Sequence, residues 1–185
     1  MDNGRILTAL MRIVRDVARA GLREALPHAF PGGKRPRIPG DAPPGNATRA
    51  GRRYPGDFRG TPKVEYAPAR GERPDPGEVV WTWVPYEEDH SRGKDRPVLL
   101  VGRDGPWLLG LQLTSKDHDR DEAQEARAGR FWVDIGPGAW DERGRESEVR
   151  VNRVVRVDPD AVRRVSVSLP RDLFDEVVAG MRRHL

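Results

Sequence analysis

The residues of this chain with chemistry to offer gather in two stretches. One runs from Tyr86-Glu87-Glu88-Asp89-His90 to Arg96-Pro97, and the other is Arg150-Val151-Asn152-Arg153. A guanidinium stays protonated and presents a planar fork of N–H donors that matches two oxygens of a phosphate or a carboxylate. Arg96 stands where a polar loop enters an apolar run, a position that anchors its stem and leaves its head free. An ion pair with Glu87, Glu88 or Asp89 is its alternative use. Arg150 is the second cation of interest, although Arg153 and Arg156 beside it fit a solvated surface equally well. His90, six residues before Arg96, carries the one side-chain type that titrates near neutrality, and simple solvation is its competing reading. The Thr114 and Ser115 hydroxyls can donate to an anion or satisfy a strand end. With no cysteine in the chain, thiolate metal sites, cysteine nucleophiles and disulfides are excluded, which fits a reducing, cytoplasmic setting. The mixed charges of Lys116 to Glu122 read as a solvated connection rather than a metal site, and no cofactor is expected.

Short strands must position these groups. Val79–Val84, Val98–Val101, Trp107–Leu113, Phe131–Ile135 and Val149–Val157 show period-two or continuous apolar patterning between turn formers. Arg103-Asp104-Gly105-Pro106 joins the second and third as a hairpin. Val165–Leu169 adds a short strand, and Pro170 opens a helix whose apolar face is Leu173, Phe174, Val177, Val178 and Met181. The pattern predicts a mainly β unit, a small curled barrel closed by a C-terminal helix, over residues 77–185.

The first 76 residues differ in kind. Residues 1–26 place Ile6, Leu10, Val14 and Val17 at helical spacing with Arg12, Arg15, Arg19 and Arg23 on the polar side, an amphipathic basic helix. Residues 27–76 hold 11 of the 17 prolines and 8 of the 20 glycines, and read as a flexible basic linker. Charge divides the same way: +7 over residues 1–76 and −3 over 77–185, for a total of +4. No apolar run is long enough to span a membrane.

Two strand signatures carry a resemblance. Gly77-Glu78-Val79-Val80-Trp81-Thr82-Trp83-Val84-Pro85 is followed by a polar loop and then by Arg96-Pro97-Val98-Leu99-Leu100-Val101. Later come Gln112-Leu113-Thr114-Ser115 and Ser147-Glu148-Val149-Arg150-Val151-Asn152. In this order they resemble the MazF/PemK toxin family of bacterial toxin-antitoxin systems, over about residues 77–183.

The resemblance implies an SH3-like barrel that forms homodimers, cleaves single-stranded RNA without metal, and is blocked by a cognate antitoxin. In that chemistry the 2′-hydroxyl attacks the adjacent phosphate, so one group removes a proton and cations hold the growing charge. Arg96 and Arg150 would bind the scissile phosphate, and His90 or a loop carboxylate such as Glu88 would move the proton. Thr114, Ser115, Asn152 and Tyr86 would contact RNA, the tyrosine by stacking. Asn152 departs from the family's Arg-x-Asp pattern, and an amide cannot act as a general base. The rival reading is a non-catalytic module on the same barrel, either a CcdB-like binder of a topoisomerase or a degenerate RNA binder.

Overall fold

The computed structural model describes residues 52–69, 71, 73–115 and 122–185. The expected N-terminal helix, and the linker as far as residue 51, lie outside the described residues.

Six strands form one antiparallel sheet: β1 (Glu78–Pro85), β2 (Gly93–Asp104), β3 (Trp107–Thr114), β4 (Trp132–Asp134), β5 (Glu148–Val157) and β6 (Arg164–Ser168). Their order is β4-β5-β3-β2-β1-β6. Two helices follow the chain order, α1 (Glu122–Arg127) and α2 (Arg171–His184). The strands expected from patterning are present, and the β2–β3 hairpin turns at Gly105, whose φ of 58° suits a residue without Cβ. Among the described residues, β4 and β6 end the sheet without pairing to each other. The expected closed barrel is therefore a curled half-barrel.

Both faces of the sheet bury apolar side chains, because neighbours in a strand point to opposite sides. Val79, Leu99, Val101, Leu109 and Leu111 face one way and pack with Phe174, Val177 and Met181 of α2. Val80, Val98, Leu100, Leu108 and Val155 face the other way. Gly110 sits where an added Cβ would come 2.3 Å from Val98 Cγ1, so the small residue lets β2 and β3 approach.

The flexible linker expected to reach residue 76 requires correction. Residues 52–69 form a strap laid along the sheet. Phe58 N donates to Val154 O at 2.9 Å, and Glu65 N donates to Val101 O at 2.9 Å. The latter acceptor is free because the β2–β3 register slips between Leu100 and Gly102. Phe58, Val64 and Tyr66 pack against the main core. Tyr66 also donates its hydroxyl to Leu169 O at 2.9 Å and meets Phe174 edge-on. Arg156 donates to Gly56 O and Asp57 O at 2.8 and 3.0 Å and lies over the Phe58 ring. Three large side chains and a row of backbone hydrogen bonds offset the entropy that composition alone assigned to disorder.

The closest passage of strap and sheet is at Gly102, where a Cβ would lie 2.4 Å from the Lys63 carbonyl oxygen. Gly102→Ala is expected to push the strap off β2 and cost about 1–3 kcal/mol, read as a lower urea midpoint. An unchanged midpoint would show that the strap contributes nothing to stability.

Candidate functional site

β5 makes the site because it is irregular. Leu111 of β3 pairs with Val154 and Leu113 with Val149, so two residue steps along β3 span five along β5. At its other edge Arg150 pairs with Trp132 of β4. In a regular strand residues three apart point to opposite faces. The irregularity instead brings Arg150 and Arg153 to one concavity of about 170 Å³, joined there by Arg96 and Arg130. Tyr86, Glu87, Glu88 and Gln112 complete most of its wall.

The four guanidiniums are held differently. Arg150 and Arg153 are each 6% exposed. Arg150 Nη1 pairs with Glu87 Oε2 at 2.8 Å, and its Nε donates to Asn152 Oδ1 at 3.3 Å. Arg153 donates Nε to Asp57 Oδ2 at 2.7 Å, and Nη2 to Asp57 Oδ1 at 3.2 Å and Pro85 O at 2.8 Å. Arg130 grips Glu125 through Nε and Nη2 at 2.6 and 2.9 Å, and this hydrogen bonding raises its pKa. Arg96 is half-buried, and no carboxylate pairs with it among the described residues. Burial pushes its pKa down, the Tyr86 oxygen opposes this, and nearby Arg153 adds to it. A partly desolvated cation without a counter-ion is the one that gains most from an arriving anion.

Each residue singled out from sequence has a definite place. Arg96, Arg150, Glu88 and Tyr86 all line the concavity, and Glu88 has no cationic partner among the described residues. Arg96 does not make the alternative ion pair: Glu87 is taken by Arg150, and Asp89 accepts from Ser91 N and Oγ. His90 does not line the concavity. The β1–β2 loop closes with Tyr86 N donating to Arg92 O at 2.8 Å. His90 then stands exposed against Tyr54, ring centroids 5.2 Å apart and nearly perpendicular. Thr114 and Ser115 also lie outside the wall, and Gln112, two residues earlier on β3, is the side chain that reaches it. Asn152 does not present a free amide. Its Nδ2 donates to Gly129 O, and its Oδ1 accepts from Phe131 N and Arg150 Nε, both at 3.3 Å. It braces Arg150 and the entry to β4.

Arg153, Arg130, Gln112, Tyr54 and Asp57 are the site's unanticipated members. Arg153 read from sequence as a solvated surface charge, and Asp57 falls in a stretch whose composition signals disorder. The only sequence cue to the strap is the spacing of Phe58, Val64 and Tyr66. Burial would raise the Asp57 pKa, but hydrogen bonds from Arg153 and Tyr54 outweigh it and hold the carboxyl below its ordinary value. Tyr54 is pushed up by burial and by its hydrogen bond to that carboxylate.

A curled antiparallel sheet that gathers four arginines on one concave surface defines a small β-protein equipped to meet an anion. Residues 75–185 match the family described as PemK-like, MazF-like toxin of type II toxin-antitoxin system. The chain belongs to that family, with the strap and everything before it upstream of the match. Among solved structures, a similar chain occurs in the crystal structure of MazE-MazF (Form-II) from Deinococcus radiodurans. It is 18% identical with a TM-score of 0.41, over 60% of this chain and 93% of that one. No curated protein matches the sequence. No helix among the described residues is long and apolar enough to cross a membrane.

Two outcomes test this geometry. Asn152→Asp sets a carboxylate oxygen against Gly129 O where a donor is required. It should cost about 1–2 kcal/mol in chemical denaturation, and a neutral or stabilising effect would contradict the brace. For Asp57 the folded pKa lies below the unfolded value near 4, so its contribution is complete above that value and is lost as pH falls through the folded one. The stability gap between the native chain and Asp57→Asn should therefore hold at pH 7 and shrink below about pH 4. A gap independent of pH would refute the assignment.

Proposed function

We propose that this toxin is a metal-independent endoribonuclease that cleaves single-stranded RNA by attack of the 2′-hydroxyl on the neighbouring phosphate. The observation that carries the reading is the placement, in one concavity, of a half-buried Arg96 beside the carboxylate of Glu88, neither with an ion-pair partner among the described residues. Arg96 receives the scissile phosphate, and Arg150 closes on it as the exposed Glu87 carboxylate is displaced. Their fixed positive charge is matched to the extra negative charge of the phosphorane, which removes the need for a metal. Glu88 takes the 2′-hydroxyl proton and Tyr86 offers a ring for a splayed base. The protonated Glu88 then returns its proton to the departing 5′-oxygen, so one carboxyl group serves both halves of the reaction. His90 has no part in this scheme.

Family membership supports a cognate antitoxin as the natural inhibitor, entering the same concavity with carboxylates of its own, and a homodimer as the working form. A second reading, RNA binding without turnover, is favoured by Asn152, whose amide cannot serve as a spare proton acceptor if Glu88 fails.

The purified full-length chain should cut single-stranded RNA in chelator and leave a 2′-deoxy analogue intact. Arg96→Ala and Arg150→Ala should each lower kcat by about 10²–10³-fold, and Glu88→Gln by about 10²-fold. Cleavage of the deoxy analogue, or a requirement for magnesium, would sink the mechanism. RNA that is bound but never cut would favour the second reading.

A further inference from the structure

The strap lies outside the part of the chain that matches the family, yet its Asp57 holds one of the arginines of the site. Arg153 is almost wholly buried on β5 and lines the concavity. Its Nε and Nη2 are consumed by Asp57 and by Pro85 O, at 2.7 to 3.2 Å. Nη1 is the nitrogen left without a partner among the described residues. Asp57 is itself fixed from the far side, where the Tyr54 hydroxyl donates to it and Arg156 holds its backbone carbonyl at 3.0 Å. A bidentate carboxylate on one edge of a guanidinium sets the plane of the whole group and so aims the opposite edge. A buried cation without its anion would also be strongly disfavoured in that setting.

We infer that Arg153 is a third phosphate-binding cation of this site, presenting Nη1 to the RNA backbone, and that Asp57 of the strap is the residue that positions it. The proposal rests on the nuclease reading only in naming RNA as the ligand. It enlarges the functional unit: a chain trimmed to the family match, residues 75–185, would keep Arg96 and Arg150 but lose the aim of Arg153. Tyr54 supports the same arrangement one step further out.

The test uses the full-length chain and a fluorescein-labelled, single-stranded 2′-deoxy oligonucleotide, which binds but offers no nucleophile. Asp57→Asn keeps the shape of the side chain but sets an amide N–H against the guanidinium fork. Affinity for the oligonucleotide should fall about tenfold, and kcat on RNA by about ten- to a hundredfold as the cation is misdirected. Arg153→Lys keeps the charge and loses the fork, and should cost the same. The double variant should be no worse than the poorer single one, because both remove one coupled unit. Glu65→Gln, on the same strap but paired with Arg103 at 3.4 Å away from the concavity, should bind like the native chain. Equal losses for Glu65→Gln and Asp57→Asn would reduce Asp57 to a structural tether and overturn the proposal. So would additive losses in the double variant, or binding within twofold of native for Asp57→Asn. If Asp57→Asn does not fold, Arg153→Lys decides alone, and unchanged binding refutes the inference. Binding that depends on Asp57 with no cleavage by the native chain would remove the nuclease reading and leave this one standing. Cleavage indifferent to both residues would do the reverse, and no binding by the native chain would remove both.

Discussion

Two guanidiniums buried side by side in β5 set the constraint from which the rest of the site follows. Arg150 and Arg153, each 6% exposed, cannot sit in such surroundings without anions. One anion comes from the β1–β2 loop as Glu87, and the other from the strap as Asp57. The loop and the strap, both far upstream of β5 in the sequence, are thus tied to the same short length of it. The slipped register that turns both arginines to one side is what makes the demand double. A regular strand would have buried one cation and exposed the other.

The two anions are not equivalent. Glu87 is 56% exposed and makes one contact to Arg150, so water can replace it at small cost. Asp57 is half-buried, holds its partner through two oxygens and is itself hydrogen-bonded by Tyr54. On the proposed reading, exchange with a ligand oxyanion would therefore fall on Arg150, while Arg153 keeps its hold on Asp57. Asn152 adds to that fixity by holding the Arg150 stem side through Nε, so that only the Nη edge changes partner.

Much of the fold was legible because it rests on local chemistry. The six strands, the Gly105 turn and the helix after Pro170 follow from periodicity and turn residues. Arg96 and Arg150 were legible through the strand signatures around them. The parts that sequence hid depend on tertiary pairing. Nothing local to β5 announces that two residue steps along β3 will span five along it, so Arg153 read as a surface charge. His90 sits at a plausible spacing from Arg96, but the Asp89–Ser91 turn directs its ring toward Tyr54. Asn152 reads from sequence as a lost general base, whereas in three dimensions its amide supplies a donor that a carboxylate could not. The strap was hidden by composition: its prolines and glycines suggest an unstructured chain, yet Phe58, Val64 and Tyr66 find apolar partners on the sheet.

The balance of charge resolves a difficulty that the sequence raises. Residues 77–185 carry a net −3, awkward for a protein expected to hold a polyanion. The concavity gathers Arg96, Arg130, Arg150 and Arg153 against Glu87, Glu88, Asp57 and Glu125, a set close to neutral as a whole. On the proposed reading, affinity for phosphate does not come from a broad positive field. It would come from exchange, in which one exposed carboxylate leaves Arg150 and one desolvated cation, Arg96, gains a partner that it lacks among the described residues. An arriving phosphate meets preformed donors and displaces a weak competitor, so discrimination rests on geometry at the centre more than on attraction at a distance. The same arithmetic would make the site receptive to acidic peptide: a carboxylate offered by a protein partner would replace Glu87 as readily as a phosphate would, occupying Arg150 and Arg96 while bringing neither a 2′-hydroxyl to attack nor a phosphodiester to cut.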